Sequence, residues 1–176
     1  LMSAAEPVLP ERLREPELYL NRELNQLAFN WRVLEQAKDP ATPLLERLKF
    51  LCIASTNLDE FFEIRVARLQ EQVASSSVHA GPDNMGAQEL LRQIAVEAHR
   101  LVDEQYRVWN EELIPALESD QIRFVRRGTW TPAQVDWVRH HFKHELLPVL
   151  TPMGLDPSHP FPRILNKSLN FLVTLQ

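Results

Sequence analysis

Few side chains in this sequence stand at spacings that suit chemistry, and the most suggestive is Asn57 in the run Asn57-Leu58-Asp59-Glu60. That run has the form of a capping box: Asn57 accepts from the first-turn amides of a helix and Glu60 reaches back to it. Asp59 and Glu60 point apart as helical neighbours, so they suit capping and the positive end of the helix dipole better than paired acid and base work. Arg65 and Arg68 share a face of the same helix and could approach an anion, but a solvated basic face is the plainer reading. His140 and His144, four apart, have the spacing for two imidazoles on one metal. They project away from the Val135, Val138 and Phe142 stripe, with Arg139 and Lys143 beside them and no carboxylate in place, which favours a solvated face. His159, in Ser158-His159-Pro160-Phe161-Pro162, is either a pocket residue or a turn histidine bonding its own loop. The four glycines, at 81, 86, 128 and 154, form no phosphate-cradling loop, and no nucleophile motif is present.

The composition narrows the setting for these groups. Hydrophobic residues make up 44% of 176, enough for a real core. Cys52 is the single cysteine; it excludes a disulfide framework, suits a reducing compartment and reads as a small core residue in Phe50-Leu51-Cys52-Ile53. No secretory or membrane-spanning pattern appears. A cytoplasmic location is therefore the default expectation, with membrane association of a larger parent left open. Residues 1–120 hold 12 Lys+Arg against 21 Asp+Glu, a net of −9, whereas residues 121–176 hold 7 against 3, a net of +4. An acidic module of this kind is a poor surface for nucleic acid or any polyanion, so a parent that handles phosphate is expected to do so mostly elsewhere.

The elements that must position the candidates are helical. Residues 1–18, with Pro7, Pro10 and Pro16 among charges, read as a disordered leader. Asn21 caps a first helix with Leu24, Leu27, Ala28, Trp31, Leu34 and Ala37 on one stripe, ending near Asp39-Pro40. Thr42 as cap and Pro43 at the first helical position open a short second helix bearing Leu44, Leu45, Leu48 and Leu51. A third helix starts at the Asn57 box and buries Phe62, Val66, Leu69 and Val73. After a loop from Ser75 to Gly86, a fourth runs from Leu90 to about Ile114, where Pro115 ends or kinks it. About four helices on short connections over 19–119 predict an antiparallel bundle. Beyond it, Gln121–Val125 reads as a strand, Thr131-Pro132 opens a helix, and Ser168–Leu175 reads as a second strand. Residues 120–176 are thus expected to begin a partial α/β domain that is truncated, since the last strand has no evident partner.

Four stretches carry a family resemblance: Tyr19-Leu20-Asn21-Arg22-Glu23-Leu24, Phe29-Asn30 with Arg32-Val33-Leu34, Pro43 to Leu51, and Ser55-Thr56-Asn57-Leu58-Asp59-Glu60-Phe61-Phe62. In order and spacing they resemble the opening of the long, histidine-phosphorylated class of polyphosphate kinase. The likeness resumes at Leu150-Thr151-Pro152 and at Ser158 to Pro162. Gln26 stands where the family often has an aromatic, and Trp31 where it often has a polar residue; both lie outside the Asn57 motif.

The resemblance implies a parent that reversibly transfers the terminal phosphate of ATP to inorganic polyphosphate through a phosphohistidine, with Mg2+ as cofactor. It places the catalytic histidine in later domains, makes 120–176 the start of the head (middle) domain that supports a homodimer, and assigns Asn57 an adenine contact. On that reading this segment is inactive alone, and neither a metal nor nucleic acid is expected on it. The rival from another class is a stand-alone helical protein-interaction module with an exposed apolar face.

Overall fold

The computed structural model describes residues 13, 15–75, 81–158, 160–165 and 168–174, and the chain divides into two compact units, 1–124 and 125–176. His159 lies outside the described residues, as does most of the expected leader.

Helix α1 (Arg22–Lys38) forms where the apolar stripe predicts it. Asn21 adopts extended backbone and its Oδ1 accepts from the Glu23 and Leu24 amides at 3.0 and 3.1 Å, satisfying two of the groups a helix start leaves open. The preceding turn, Pro16–Leu18, is a 3₁₀ helix, and the Tyr19 hydroxyl donates to the Leu13 carbonyl at 2.5 Å. Order therefore extends back into the expected leader.

The second and third expected helices join. Helix α2 (Leu44–Glu60) passes without a break through a π-helical segment, Phe61–Val66, into α3 (Ala67–Ala74). Asn57 consequently stands inside a helix and caps nothing. The amides the box would have satisfied are already taken by the helical ladder, and no Gly or Pro between Pro43 and Gly81 offers a place to stop. Pro43 itself is the N-cap residue rather than the first helical one. Because the helix does not restart at 57, its phase is inherited from Leu51, Ala54 and Leu58: Phe61 is buried and Phe62 is 41% exposed. The expected core place of Phe62 thus belongs to its neighbour. The next buried residue is Val66, a step of five, which the wide π turn accommodates through an Ala67 amide bonded to the Phe62 carbonyl.

The same device recurs in the fourth expected helix. Helix α4 (Ala87–Arg107) leads through a second π segment, Val108–Leu113, into α5 (Ile114–Ser119). Val108 and Leu113, five apart, are both fully buried. Pro115 neither ends nor breaks this path; it sits in the first turn of α5, directly after the wide turn, where a missing N–H costs least.

These paths pack up, down and up. Asn30 meets Ala54 and Arg47 meets Ala37, so α1 and α2 run antiparallel; Gln105 reaches the Leu51 carbonyl and Arg47 reaches Glu112, so α4 runs against α2. The antiparallel helical bundle is the fold the sequence predicts. Leu27, Leu34, Leu58, Phe61, Ile94 and Leu101 fill its centre. Cys52, expected in the core, is exposed on the outer side of α2.

A charged network fastens the rods at one level. Lys38 on α1 bonds Glu104 at 2.9 Å, Glu104 and Glu112 both hold Arg107, and Arg47 on α2 holds Glu112 at 3.1 Å. These hydrogen bonds from Arg107 and Lys38 hold the Glu104 carboxyl at about 2, and Glu35 with Glu104 raises Lys38.

Neither expected strand is present among the described residues. Gln121 takes a left-handed φ of 64°, and the Ile122 and Gln121 amides return to the carbonyls of Leu117 and Glu118 at 2.8 and 3.1 Å. That is a Schellman ending for α5, so the first residues of the supposed strand close a helix instead. Phe124 then packs edge-on against Trp109 at 5.0 Å. In the second unit, helix α6 (Pro132–His141) begins as predicted, with a full capping box between Thr131 and Gln134. Residues 168–174 carry no regular structure, having no ladder partner among the described residues, so the α/β character expected of this unit is not seen there.

Candidate functional site

Asn57 is half-buried, and its position is set by a second asparagine on the facing helix. Asn30, only 3% exposed, is the buried polar residue of the described core. Its Nδ2 donates to the Ala54 carbonyl at 2.8 Å, which turns its Oδ1 toward α2, where it accepts from Asn57 Nδ2 at 3.2 Å. The chain of donors fixes both amide orientations, because each nitrogen must face an oxygen. Asn57 keeps its Oδ1 and its second N–H without a partner among the described residues. Ile53, four residues earlier on the same stripe, is 38% exposed, so an outward donor and acceptor stand beside apolar surface. A planar heterocycle with a mixed donor and acceptor edge matches that combination.

Arg65 and Arg68 are not at this place. They line a cleft of about 320 Å³ at the other end of the α2–α3 path, with Arg22, Glu23 and Asp83. Asp83 accepts from Asn21 Nδ2 at 2.6 Å. The sequence signal for this cleft was the shared face of Arg65 and Arg68; the part played by Arg22 and Asp83 depends on packing and was not legible.

His140 and His144 stack on each other with ring centroids 4.1 Å apart, and His144 Nδ1 lies 2.8 Å from the His140 carbonyl. Both are exposed, and no group of three or more His, Cys, Asp or Glu among the described residues could hold a metal ion.

Residues 19–125 match the family model for the polyphosphate kinase N-terminal domain, and residues 133–176 match that for the polyphosphate kinase middle domain. This chain belongs to the polyphosphate kinase family. The polyphosphate kinase of Pseudomonas putida is 54% identical over 164 residues, covering 93% of this chain and 23% of that protein. That of Burkholderia vietnamiensis is 56% identical over 157 residues, covering 89% and 23%. The crystal structure of polyphosphate kinase from Porphyromonas gingivalis is similar with a TM-score of 0.64 at 31% identity, over 82% of this chain and 20% of that one. The chain thus spans less than a quarter of the length of these polyphosphate kinases. No helix among the described residues is long and apolar enough to cross a membrane.

Proposed function

We propose that this chain is the amino-terminal part of a cytoplasmic enzyme that reversibly transfers the terminal phosphate of ATP to inorganic polyphosphate through a phosphohistidine. In that enzyme the helical unit closes one wall of the nucleotide site, and Asn57 contacts the adenine edge. The observation that carries the adenine role is the fixed amide of Asn57, whose remaining donor and acceptor point away from Asn30 beside exposed Ile53. The catalytic histidine and the ligands for Mg2+ are assigned to later parts of the protein, and this segment alone is inactive. The same reading has the second unit support a homodimer.

The test is Asn57→Ala in the full-length enzyme. It should raise the KM for ATP about tenfold, the worth of about one buried hydrogen-bonded edge, and leave the dependence on polyphosphate unchanged. An unaltered ATP dependence would remove Asn57 from the site.

A further inference from the structure

The second unit concentrates histidine. Three of the six histidines in the sequence fall within residues 140–144, at the end of α6 and in the π-helical segment that follows it, Phe142–Leu146. They differ in what they touch. His141 stacks on Trp137, with ring centroids 5.1 Å apart and planes 5° apart. His140 and His144 stack on each other instead, at 4.1 Å, across the junction between α6 and the π segment, and both are exposed.

The hydrogen bonding of this pair selects a tautomer. His144 Nδ1 lies 2.8 Å from the His140 carbonyl, an acceptor only, so in the neutral ring Nδ1 carries the proton and Nε2 keeps its lone pair. Metal-ligating imidazoles are held in the same way, through a hydrogen bond from the second ring nitrogen to a carbonyl or carboxylate. The His140 ring has no hydrogen-bond partner among the described residues, which leaves its nitrogens open to a ligand. Stacked rings do not aim their lone pairs at one point. Turning either ring about χ2, a broad torsion in an exposed histidine, brings them together. The surrounding charge does not oppose a cation in sum. Arg139 and Lys143 flank the pair, while Asp136 and Glu145 balance them. Asp136 stands one turn before His140, and its ion pair with Arg139 is long, at 4.0 Å.

We propose that His140 and His144 form a two-imidazole chelate for Zn2+, with water filling the remaining positions. Imidazole nitrogen suits Zn2+ and the other late first-row ions, whereas Mg2+ takes oxygen ligands. With two protein ligands the ion is a staple that pins the last turn of α6 to the π segment. The proposal is independent of the adenine role of Asn57, which lies in the other unit.

The experiment is calorimetric titration of this 176-residue chain with zinc chloride at pH 7.5 in a buffer that does not bind metal, followed in parallel by the histidine ring resonances. One saturable site with sub-millimolar Kd is expected, with shifts at His140 and His144. His140→Gln and His144→Gln should each weaken it about tenfold or more, since each leaves a single imidazole. His99→Gln is the control, because His99 makes the same bond from Nδ1 to the carbonyl four residues earlier, at 2.6 Å, yet has Ala95 at that position. It should leave the affinity unchanged, as should excess Mg2+. All three substitutions are at exposed positions, and far-ultraviolet circular dichroism checks that the helices persist. Absence of a saturable site, full affinity in either His140→Gln or His144→Gln, an equal loss in His99→Gln, or displacement by Mg2+ would overturn the assignment.

Discussion

Asn57 donates through Nδ2 to Oδ1 of Asn30 across the α1–α2 interface, and Asn30 in turn donates to the Ala54 carbonyl one turn before Asn57. The nearly buried member of the pair thereby sets the orientation of the accessible one. No buried side-chain nitrogen or oxygen among the described residues lacks a partner.

Replacing Asn30 therefore tests orientation as well as stability. Asn30→Ala is expected to cost about 1–3 kcal/mol of stability, because the Ala54 carbonyl loses its side-chain donor in a buried setting. In the full-length enzyme it should also raise the KM for ATP about as far as Asn57→Ala does, with the double variant no worse than either single one. Additive losses in the double variant would show that Asn30 acts on stability alone.

Helix phase through the first π segment makes a sharper contrast. Phe61→Ala should destabilise the bundle by about 3–5 kcal/mol, whereas Phe62→Ala, next to it but 41% exposed, should cost clearly less, about 1 kcal/mol. Chemical denaturation of the two variants decides it, and similar losses would place the π turn elsewhere.

The charged network sets an acid limit. Glu104 is held at about 2, below its ordinary 4.5, by Arg107 and Lys38. A carboxyl with a depressed folded-state value contributes stability above the unfolded value and loses it as pH falls. Its share is therefore full above about pH 4.5 and disappears between 4.5 and 2. Thermal melts of wild type and Glu104→Gln across that window should converge at the acid end and differ by about 1 kcal/mol at neutral pH. A constant difference at all pH values would assign the effect to packing.

Cys52 supplies a simple solution check. As an exposed thiol on the outer face of α2 it should react completely with a disulfide-exchange reagent in the native chain, without denaturant. Protection until unfolding would return it to the core.

Cap chemistry was the most legible part of the sequence. Asn21 and Thr131 both act as predicted, since each takes extended backbone directly before an apolar stripe. The Asn57 box satisfied the same pattern and failed, because a cap needs an interruption and residues 44–74 contain none. What looked like a helix start was a polar position on a helix already under way. The strand at 121–125 was misread for a related reason: alternating apolar residues fit a strand, yet the left-handed Gln121 turns the first of them into a helix terminator. Asn57 as a binding candidate rested on the family resemblance; its partnership with Asn30, 27 residues away, depends on how two helices meet.

The two π segments have a consequence for anyone who edits this bundle. Each spends one residue more than an ordinary turn to cover the same arc, which offsets all later side chains by about 100° from an uninterrupted α-helix. Removing a single residue from Phe61–Val66 or Val108–Leu113 would leave every upstream contact in place and swing the downstream half of that rod to another azimuth. The segments behave as built-in angular spacers, so tolerance to deletion here should be far lower than the mild local irregularity suggests.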